Sequence, residues 1–347
     1  MKREHHGLRL THDETINADI LQLVAKWNAP EFASDFAEMI ASLYKLSQQN
    51  PVSSDMVLFK RSLAELRYAQ QVFEPYRGVK KICIFGSART RPPSKVYSEA
   101  TDFARVMTEA GYMTITGAGG GIMNAAQEGA GAAKSFGLNI MLPFEQSANA
   151  VIRNDPKLVT FRYFFTRKLT FLREAAAIAA FPGGFGTLDE AMEVVTLMQT
   201  GKARLIPMVL IDEPRGTFWK NFLDYVSEHL MADRLISPED FNLFRIHTNV
   251  NEARDEILRY YRNFHSYRFV GHYLVIRLQR AISEDKLAHL RKEFLSILHP
   301  PGEMFQRNAL PEEAAETEIA HLPRLCLNFN RIQYGFLRRL IDRLNES

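Results

Sequence analysis

The chain has 347 residues, of which 46% are hydrophobic and 24% charged. This composition is that of an ordinary globular protein and excludes a disordered, collagen-like or coiled-coil chain. The 43 basic and 40 acidic residues leave a net charge of +3, which does not indicate binding to a nucleic-acid backbone.

Other sequence features bear on compartment and cofactors. The two cysteines, Cys83 and Cys326, form no CxxC pair, and the histidines show no spacing typical of a metal site. The start of the chain, Met1–His6, is polar and lacks the apolar stretch of a secretory signal, and no apolar run is long enough to cross a membrane. We therefore predict a cytoplasmic protein without a metal and without membrane contact.

The spacing of apolar residues divides the chain into three predicted regions. Residues 1–78 are predicted to be helical, because apolar residues recur at intervals of three and four. In residues 79–264, short apolar strands alternate with helices, which is typical of parallel crossover units in a doubly wound, Rossmann-like α/β sheet. Strands are predicted at 81–86, 112–116, 138–142, 177–181 and 205–211, and helices at 95–110, 122–136, 187–200, 217–231 and 252–264.

Residues 265–347 are predicted to form a small α+β appendage. A turn at Val270-Gly271-His272 lies within β-rich sequence, and a helix is expected at 283–298. A strand at 325–329 and a basic helix at 334–344 complete the chain.

Glycine clusters occur at three predicted strand-to-helix junctions. The carboxyl ends of parallel strands meet at one edge of a sheet, where ligands bind. Glycine lets the backbone approach an anion, and the helix that follows presents free N–H groups. The clusters therefore predict a site for a phosphate-bearing ligand. The candidate residues are Gly86, Ser87, Gly119, Gly120, Gly121, Gly183, Gly184, Phe185, Gly186 and Thr187.

Two common nucleotide-binding motifs are absent. The dinucleotide fingerprint G-x-G-x-x-G would need glycine where Ile122 stands, which disfavours a dehydrogenase. A Walker A loop is also missing, because Gly201-Lys202 is followed by Ala203.

The segment after the last glycine cluster carries carboxylates. Thr187 and Glu190 have the spacing of a capping box, which would make both residues structural. If the glycine loop instead holds a phosphate, Glu190 lies one helical turn away, near the attached sugar, with Glu193 on the same face. A carboxylate there can stabilise positive charge on a ribose carbon.

Arg167 and Lys168 precede an apolar helical stretch predicted to begin at Thr166. Cations at a helix N-terminus oppose the dipole at a cost of about 0.3–1 kcal/mol. The pair therefore indicates a compensating anion, either a carboxylate or a ligand phosphate. The alternative is a solvated surface pair.

These residues together resemble a known family. The string from Pro182 to Glu190 matches the PGGxGTxxE signature of the LOG ("LONELY GUY") family, and Arg167-Lys168 matches its Arg-Lys pair. The first glycine loop, Gly117–Met123, is similar to that of the family. Members are nucleoside 5′-monophosphate phosphoribohydrolases, and many carry the label "lysine decarboxylase". The resemblance covers about residues 80–262 and implies the same Rossmann-like fold.

The resemblance implies roles for single residues. Arg167 and Glu190 take the catalytic positions, while Lys168, Gly184 to Thr187 and Thr196 take nucleotide-contacting positions. The implied reaction is hydrolysis of a purine nucleoside 5′-monophosphate, with AMP the expected substrate, to the free base and ribose 5-phosphate without a cofactor. The sequence Ile122-Met123-Asn124 departs from the plant-type members and disfavours cytokinin specificity.

A homodimer or higher homo-oligomer is also expected. Family members pair through the region of the predicted helix 187–200, whose apolar surface exceeds what one sheet face covers. The alternative cover is a flanking region of the same chain.

One alternative function remains open at this point. A non-catalytic carrier of a nucleotide or molybdopterin-type cofactor would need the glycine loops but not the carboxylate. A decarboxylase is disfavoured, because nothing in the sequence marks a Schiff-base lysine or a pyridoxal phosphate site.

Overall fold

The structure, a computed structural model, describes residues 10–142 and 148–346, so the polar start Met1–His6 lies outside the described residues. It contains two compact units. One comprises Met1–Ala64 with Leu310–Glu316, and the other comprises Glu65–Ala309 with Thr317–Ser347. The three-region division drawn from the sequence stays a prediction.

The first unit is built from helices, in accord with its apolar spacing. They are α1 (Glu14–Ala25), α2 (Ala33–Ser47) and the beginning of α3 (Ser53–Phe73). Asp13 caps α1 by accepting hydrogen bonds from the backbone N–H groups of the first turn. Small and branched side chains on the facing sides of α1 and α2 form its core: Ile20, Val24, Ala37 and Ala41.

The second unit contains a seven-stranded parallel sheet with the order β4-β3-β2-β1-β5-β6-β7. The predicted doubly wound, Rossmann-like α/β fold is therefore confirmed. The strands are β1 (Lys81–Phe85), β2 (Met113–Thr116), β3 (Ser135–Ile140), β4 (Leu158–Phe161), β5 (Ala177–Ala180), β6 (Met208–Ile211) and β7 (Arg245–His247).

Helices cover both faces of this sheet, because alternate residues of each buried strand point to opposite sides. Ile82 and Ile84 of β1 face one cluster, and Cys83 and Phe85 face the other. The helices are α4 (Lys95–Glu109), α5 (Ile122–Ala130), α6 (Phe164–Glu174), α7 (Phe185–Gln199), α8 (Phe218–Tyr225) and α9 (Val250–Tyr260). Of these, α4, α5 and α9 contribute to the first cluster, and α6 and α7 to the second.

The strand order reverses between β1 and β5. The chain runs outward from β1 through β2, β3 and β4, then returns to pair β5 with the other side of β1, in the register Phe85↔Ala180. The loops that follow β1 and β5 therefore leave the sheet edge in different directions. In an open parallel sheet, such a switch point is where ligands bind.

A four-stranded antiparallel sheet follows, with the order β10-β11-β9-β8. Its hairpin turns at Gly271, which has a φ of +59°, as the sequence predicted. The strand β10 was not predicted. The elements are β8 (Phe264–Val270), β9 (Tyr273–Leu278), α10 (Glu284–Glu293), β10 (Met304–Arg307), β11 (Arg324–Leu327) and α11 (Tyr334–Asn345).

Several predicted boundaries were wrong. The helix predicted at 122–136 ends at Ala130, because Gly131 adopts a φ of +74° and Ser135 already begins β3. Gly137 therefore lies inside a strand and does not stop a helix. The helix predicted from Thr187 begins two residues earlier, and so does the helix predicted from Thr166.

Candidate active site

A cavity of about 880 Å³ opens at the carboxyl ends of β1 and β5. Its walls come from the turn after β1, the glycine loop after β5, and parts of α6 and α7. The residues that line it are Phe85, Gly86, Ser87, Ala88, Arg89, Gly117, Met123, Arg167, Phe171, Gly183, Gly184, Phe185, Gly186, Thr187, Leu188, Glu190 and Phe218.

The loop after β5 leads directly into the N-terminus of α7. Gly184 is the N-cap residue and no side chain caps the helix. Within the first turn, the backbone N–H groups of Thr187 and Leu188 both donate to the carbonyl of Gly184. The capping-box interpretation of Thr187 and Glu190 is therefore wrong, since Thr187 lies inside the helix. An uncapped N-terminus beside a cavity favours an anion.

The glycines of this loop differ in what they require. A Cβ on Gly183 would lie 2.1 Å from Oγ1 of Thr187 and 2.9 Å from the backbone nitrogen of Ser87. Position 183 therefore requires glycine, because the loop packs too closely against Thr187 and Ser87 for a side chain. A Cβ on Gly184 or Gly186 would meet nothing within 4 Å. At these two positions the absence of a side chain leaves room in the cavity instead.

The turn after β1 is packed between the two glycine loops. The backbone N–H of Ser87 donates to the carbonyl of Pro182 at 3.2 Å, and its carbonyl accepts from Ile122 at 3.0 Å. Gly121 has a φ of +63°, and a Cβ there would lie 2.1 Å from the Ser87 oxygen. A Cβ on Gly86 would lie 2.6 Å from the Ile122 side chain. Ile122 thus fills the space where a dinucleotide-binding loop would have glycine.

The first glycine loop supports the site from behind. Gly119, Gly120 and Gly121 do not line the cavity, whereas Gly117 and Met123 do. Asn149 holds the loop by donating from Nδ2 to the carbonyl of Gly119 at 2.9 Å.

Arg167 and Glu190 meet within the cavity wall. Nη2 of Arg167 donates to Oε1 of Glu190 at 3.0 Å, with only 12% and 10% of the two side chains exposed. The guanidinium also lies over the rings of Phe164 and Phe171, at 5.0 and 5.7 Å from their centroids. The solvated-pair alternative for Arg167 is therefore wrong.

Burial governs the charge of Glu190. Removal from water raises the pKa of this carboxyl group, and the positive charges of Arg167 and Lys168 oppose the rise. The carboxylate is consequently held in a poorly hydrated site with a single guanidinium as its direct partner. A group of this kind, beside an anion site, is a candidate for transition-state stabilisation.

Lys168 serves a different purpose from its neighbour. Its Nζ lies 2.8 Å from a carboxylate oxygen of Asp189 and 2.8 Å from one of Glu193. Burial lowers the pKa of Lys168, but the hydrogen bonds to these carboxylates outweigh it and leave the pKa raised. Lys168 and Glu193 do not line the cavity, and neither does the exposed Thr196. The ion pairs instead join α6 to α7.

The anion at the N-terminus of α6 is a carboxylate that the sequence analysis missed. Glu65 of α3 accepts from the backbone N–H of Arg162 at 2.8 Å and from Oγ1 of Thr166 at 2.6 Å. Tyr163, the N-cap residue, provides no side-chain bond, and Glu65 fixes the entry to α6 through the Arg162 N–H and the Thr166 hydroxyl. No local sequence signal could have found a partner 101 residues away from Thr166.

Arg89, Met123, Phe171 and Phe218 also line the cavity, although the sequence analysis did not single them out. Of these residues, only Arg89 could have been found from the sequence, because it follows the Gly86-Ser87 turn by two residues. Within the described ranges, no cluster of three or more His, Cys, Asp or Glu residues could hold a metal ion. No helix in that part of the chain is long and apolar enough to span a membrane.

Comparison with known proteins agrees with this architecture. Residues 123–257 match the family described as "Possible lysine decarboxylase". The cytokinin riboside 5′-monophosphate phosphoribohydrolase LOG5 of Arabidopsis thaliana is 22% identical over 186 residues, covering 52% of this chain and 78% of that protein.

Solved structures with partial similarity include a structural-genomics target, TM1055, at 21% identity and a TM-score of 0.37, covering 52% of this chain and 99% of that one. The molybdenum cofactor binding protein of Rippkaea orientalis has 18% identity and a TM-score of 0.36, covering 52% of this chain and 96% of its own.

The fold and the cavity define an α/β protein with a glycine-rich cavity at the switch point of its sheet. The family match falls on the part of the chain that carries the PGGxGTxxE segment and the Arg167-Lys168 pair. Over this part of its length the chain is similar to the LOG family.

Proposed function

We propose that this protein hydrolyses the N-glycosidic bond of a purine nucleoside 5′-monophosphate, with AMP as the expected substrate. The observation that carries the proposal is the buried Glu190 carboxylate, which lines the cavity one helical turn beyond the uncapped glycine loop. The similarity of residues 123–257 to a known family, and of the chain to a cytokinin riboside 5′-monophosphate phosphoribohydrolase, supports a nucleotide phosphoribohydrolase at the coarse level.

In this proposal the 5′-phosphate lies at the N-terminus of α7. Gly184 and Gly186 leave space for its oxygens, and the helix dipole favours its negative charge. The ribose then extends toward Glu190. Because the charge of the ribose develops only as the bond to the base breaks, the carboxylate stabilises the transition state more than the bound substrate.

The chemical balance of the reaction is simple. The bond between C1′ and the base nitrogen breaks with its electron pair on the base, which takes up a proton. Water adds to C1′ and releases a proton, so the products are free base and ribose 5-phosphate. Glu190 is positioned to orient this water, and Arg167 keeps the carboxylate ionised and in place.

The family description as a lysine decarboxylase has no support in the cavity. A Schiff-base lysine needs a lowered pKa and must face the ligand. No lysine lines the cavity within the described part of the chain, and Lys168 is held by Asp189 and Glu193 with a raised pKa.

The test is an assay of base release from the purified protein with a panel of nucleoside 5′-monophosphates, including AMP, GMP, IMP and a cytokinin riboside 5′-monophosphate. We expect release of base together with an equal amount of ribose 5-phosphate, with AMP turned over fastest. Tight AMP binding without base release would contradict the proposal and support the carrier function.

A further inference from the structure

Arg167 and Glu190, which both line the cavity, do not neutralise the negative charge of a bound phosphate group. Arg167 is the direct partner of Glu190, so their charges cancel. Lys168 is engaged by two carboxylates outside the cavity wall. A phosphate monoester carries about −1.5 to −2 charges at neutral pH, and a helix N-terminus supplies the equivalent of about +0.5. A further cation is needed.

Arg89 is the remaining charged residue of the lining. It is exposed, and it forms no ion pair or side-chain hydrogen bond with any residue of the described ranges. An arginine that has no internal partner and faces a cavity with a surplus of N–H donors is available for a ligand anion. Its planar guanidinium suits two phosphate oxygens at once.

The backbone places Arg89 at the junction of the two glycine loops. Its N–H donates to Oγ of Ser87 at 3.1 Å, which closes a tight turn after β1. That turn is fixed to the second glycine loop through Pro182 and to the first through Ile122. A Cβ on Gly120 would lie 3.4 Å from the carbonyl oxygen of Ala88. The backbone position of Arg89 is therefore fixed by the contacts of its turn with both glycine loops.

We propose that Arg89 is the phosphate-binding cation of this site and that it makes the enzyme specific for phosphorylated nucleosides. The proposal rests on the function proposed above and deepens it by assigning the residue that selects a 5′-phosphate. In the bound complex the guanidinium pairs with the phosphate at the N-terminus of α7. Ser87, whose Oγ accepts the Arg89 N–H, has its hydroxyl proton free to donate to the same group.

The experiment compares Arg89→Ala with Arg91→Ala, which removes another exposed arginine of the same loop that does not line the cavity. Dissociation constants for AMP, ribose 5-phosphate and adenosine are measured by calorimetry on the full chain, with each variant made in a Glu190→Gln background so that AMP is not turned over; ribose 5-phosphate, a product, is also titrated into the wild-type chain. We expect Arg89→Ala to weaken binding of AMP and ribose 5-phosphate by about 10- to 100-fold, as for a lost charge-assisted pair. Adenosine binding should be unchanged, and Arg89→Lys should recover part of the loss.

Equal effects of Arg89→Ala and Arg91→Ala on AMP binding would overturn the proposal, and so would an equal loss for adenosine and AMP. Because binding is measured without turnover, this result is separate from the proposed reaction. A wild-type protein that binds ribose 5-phosphate through Arg89 but releases no base would retain the phosphate assignment and refute the hydrolase. A wild-type protein that binds neither phosphorylated ligand would overturn both.

Discussion

Arg167 of α6 and Glu190 of α7 are joined by a 3.0 Å hydrogen bond in the wall of the cavity, although each belongs to a different crossover unit of the sheet. Burial raises the pKa of Glu190, and the guanidinium opposes this rise. The pair thus holds a poorly hydrated carboxyl group beside a positive charge. This arrangement is the basis for the first two predictions.

Replacing Glu190 by glutamine should abolish base release while leaving AMP binding within a few-fold of wild type. The amide keeps the shape of the side chain but has no charge to stabilise the ribose cation, which exists only in the transition state. Single-turnover assays and calorimetry measure the two effects. Glu193→Gln is the matched control, because Glu193 lies on the same helix but not in the cavity lining. Near wild-type turnover in Glu190→Gln would contradict the assigned role.

As the pH is lowered, the activity should begin to fall at a pH above the usual pKa of a glutamate side chain. Burial raises the pKa of Glu190, so protonation of the reactive carboxylate begins at a higher pH than for an exposed glutamate. The acid limb of kcat/KM, which reports groups of the free enzyme, should therefore lie above about pH 4.3. A profile that stays flat down to pH 4 would contradict the prediction.

The same shift has a consequence for stability. A carboxyl group with a raised folded-state pKa binds its proton more tightly in the folded protein than in the unfolded chain. Its contribution to the free energy of unfolding is therefore most favourable below the unfolded pKa and is lost as the pH rises through the folded pKa. For Glu190, the contribution is lost between the ordinary glutamate pKa and the raised value.

Replacing Gly184 by valine should raise KM for AMP steeply without unfolding the protein. Gly184 has a φ of −85°, which valine adopts readily, and a Cβ there meets nothing within 4 Å. The added methyl groups would therefore occupy the space assigned to the phosphate. Gly78→Val is the control, because Gly78 is also open but precedes the amino end of β1, whereas the cavity lies at the carboxyl end of that strand. An unchanged KM in a folded Gly184→Val variant would place the phosphate elsewhere.

Removing the carboxylate of Glu65 should weaken both stability and activity. Glu65→Ala removes the acceptor of the Arg162 N–H and of the Thr166 hydroxyl at the start of α6, at an expected cost of about 1 kcal/mol in unfolding free energy. Thermal denaturation should show a Tm lower by about 2–4 °C, and kcat should fall because α6 carries Arg167. Glu74→Ala, at an exposed position just beyond α3, should change neither quantity.

The protein is expected to be at least a dimer, with helix α7 close to the subunit contact. Val194 of this helix is buried in the core. Phe185 at the start of α7 is 92% exposed, and further exposed apolar side chains lie on α6, where Phe164, Phe165 and Leu169 are 49%, 53% and 52% exposed.

Light scattering at micromolar concentration should give at least twice the chain mass of 39.7 kDa. Leu169→Glu should yield monomers, whereas Leu235→Glu, at another exposed leucine, should not. A monomeric wild-type protein would rule out the expected dimer.

Much of the sheet and of the candidate site was predictable from local pattern. Strands such as β1 and β5 are continuous apolar runs because helices cover both of their faces. The segment from Pro182 to Glu190 and the Arg167-Lys168 pair consist of consecutive residues, so both motifs can be recognised in the sequence. Helix starts were less accurate, since Gly184 and Tyr163 precede α7 and α6 without a capping side chain to mark them.

The sequence by itself therefore determined the alternation of strands and helices, the position of the glycine loops and the identity of the candidate catalytic pair. Only the tertiary structure decided that Glu65 contacts the start of α6, that Lys168 joins two helices outside the cavity, and that Arg89 has no side-chain partner among the described residues. The physical reason is that charge pairing and burial depend on neighbours brought together by the fold. A hydrophobic period or a glycine turn is encoded within a few residues, whereas the partner and the hydration of a charged side chain are not.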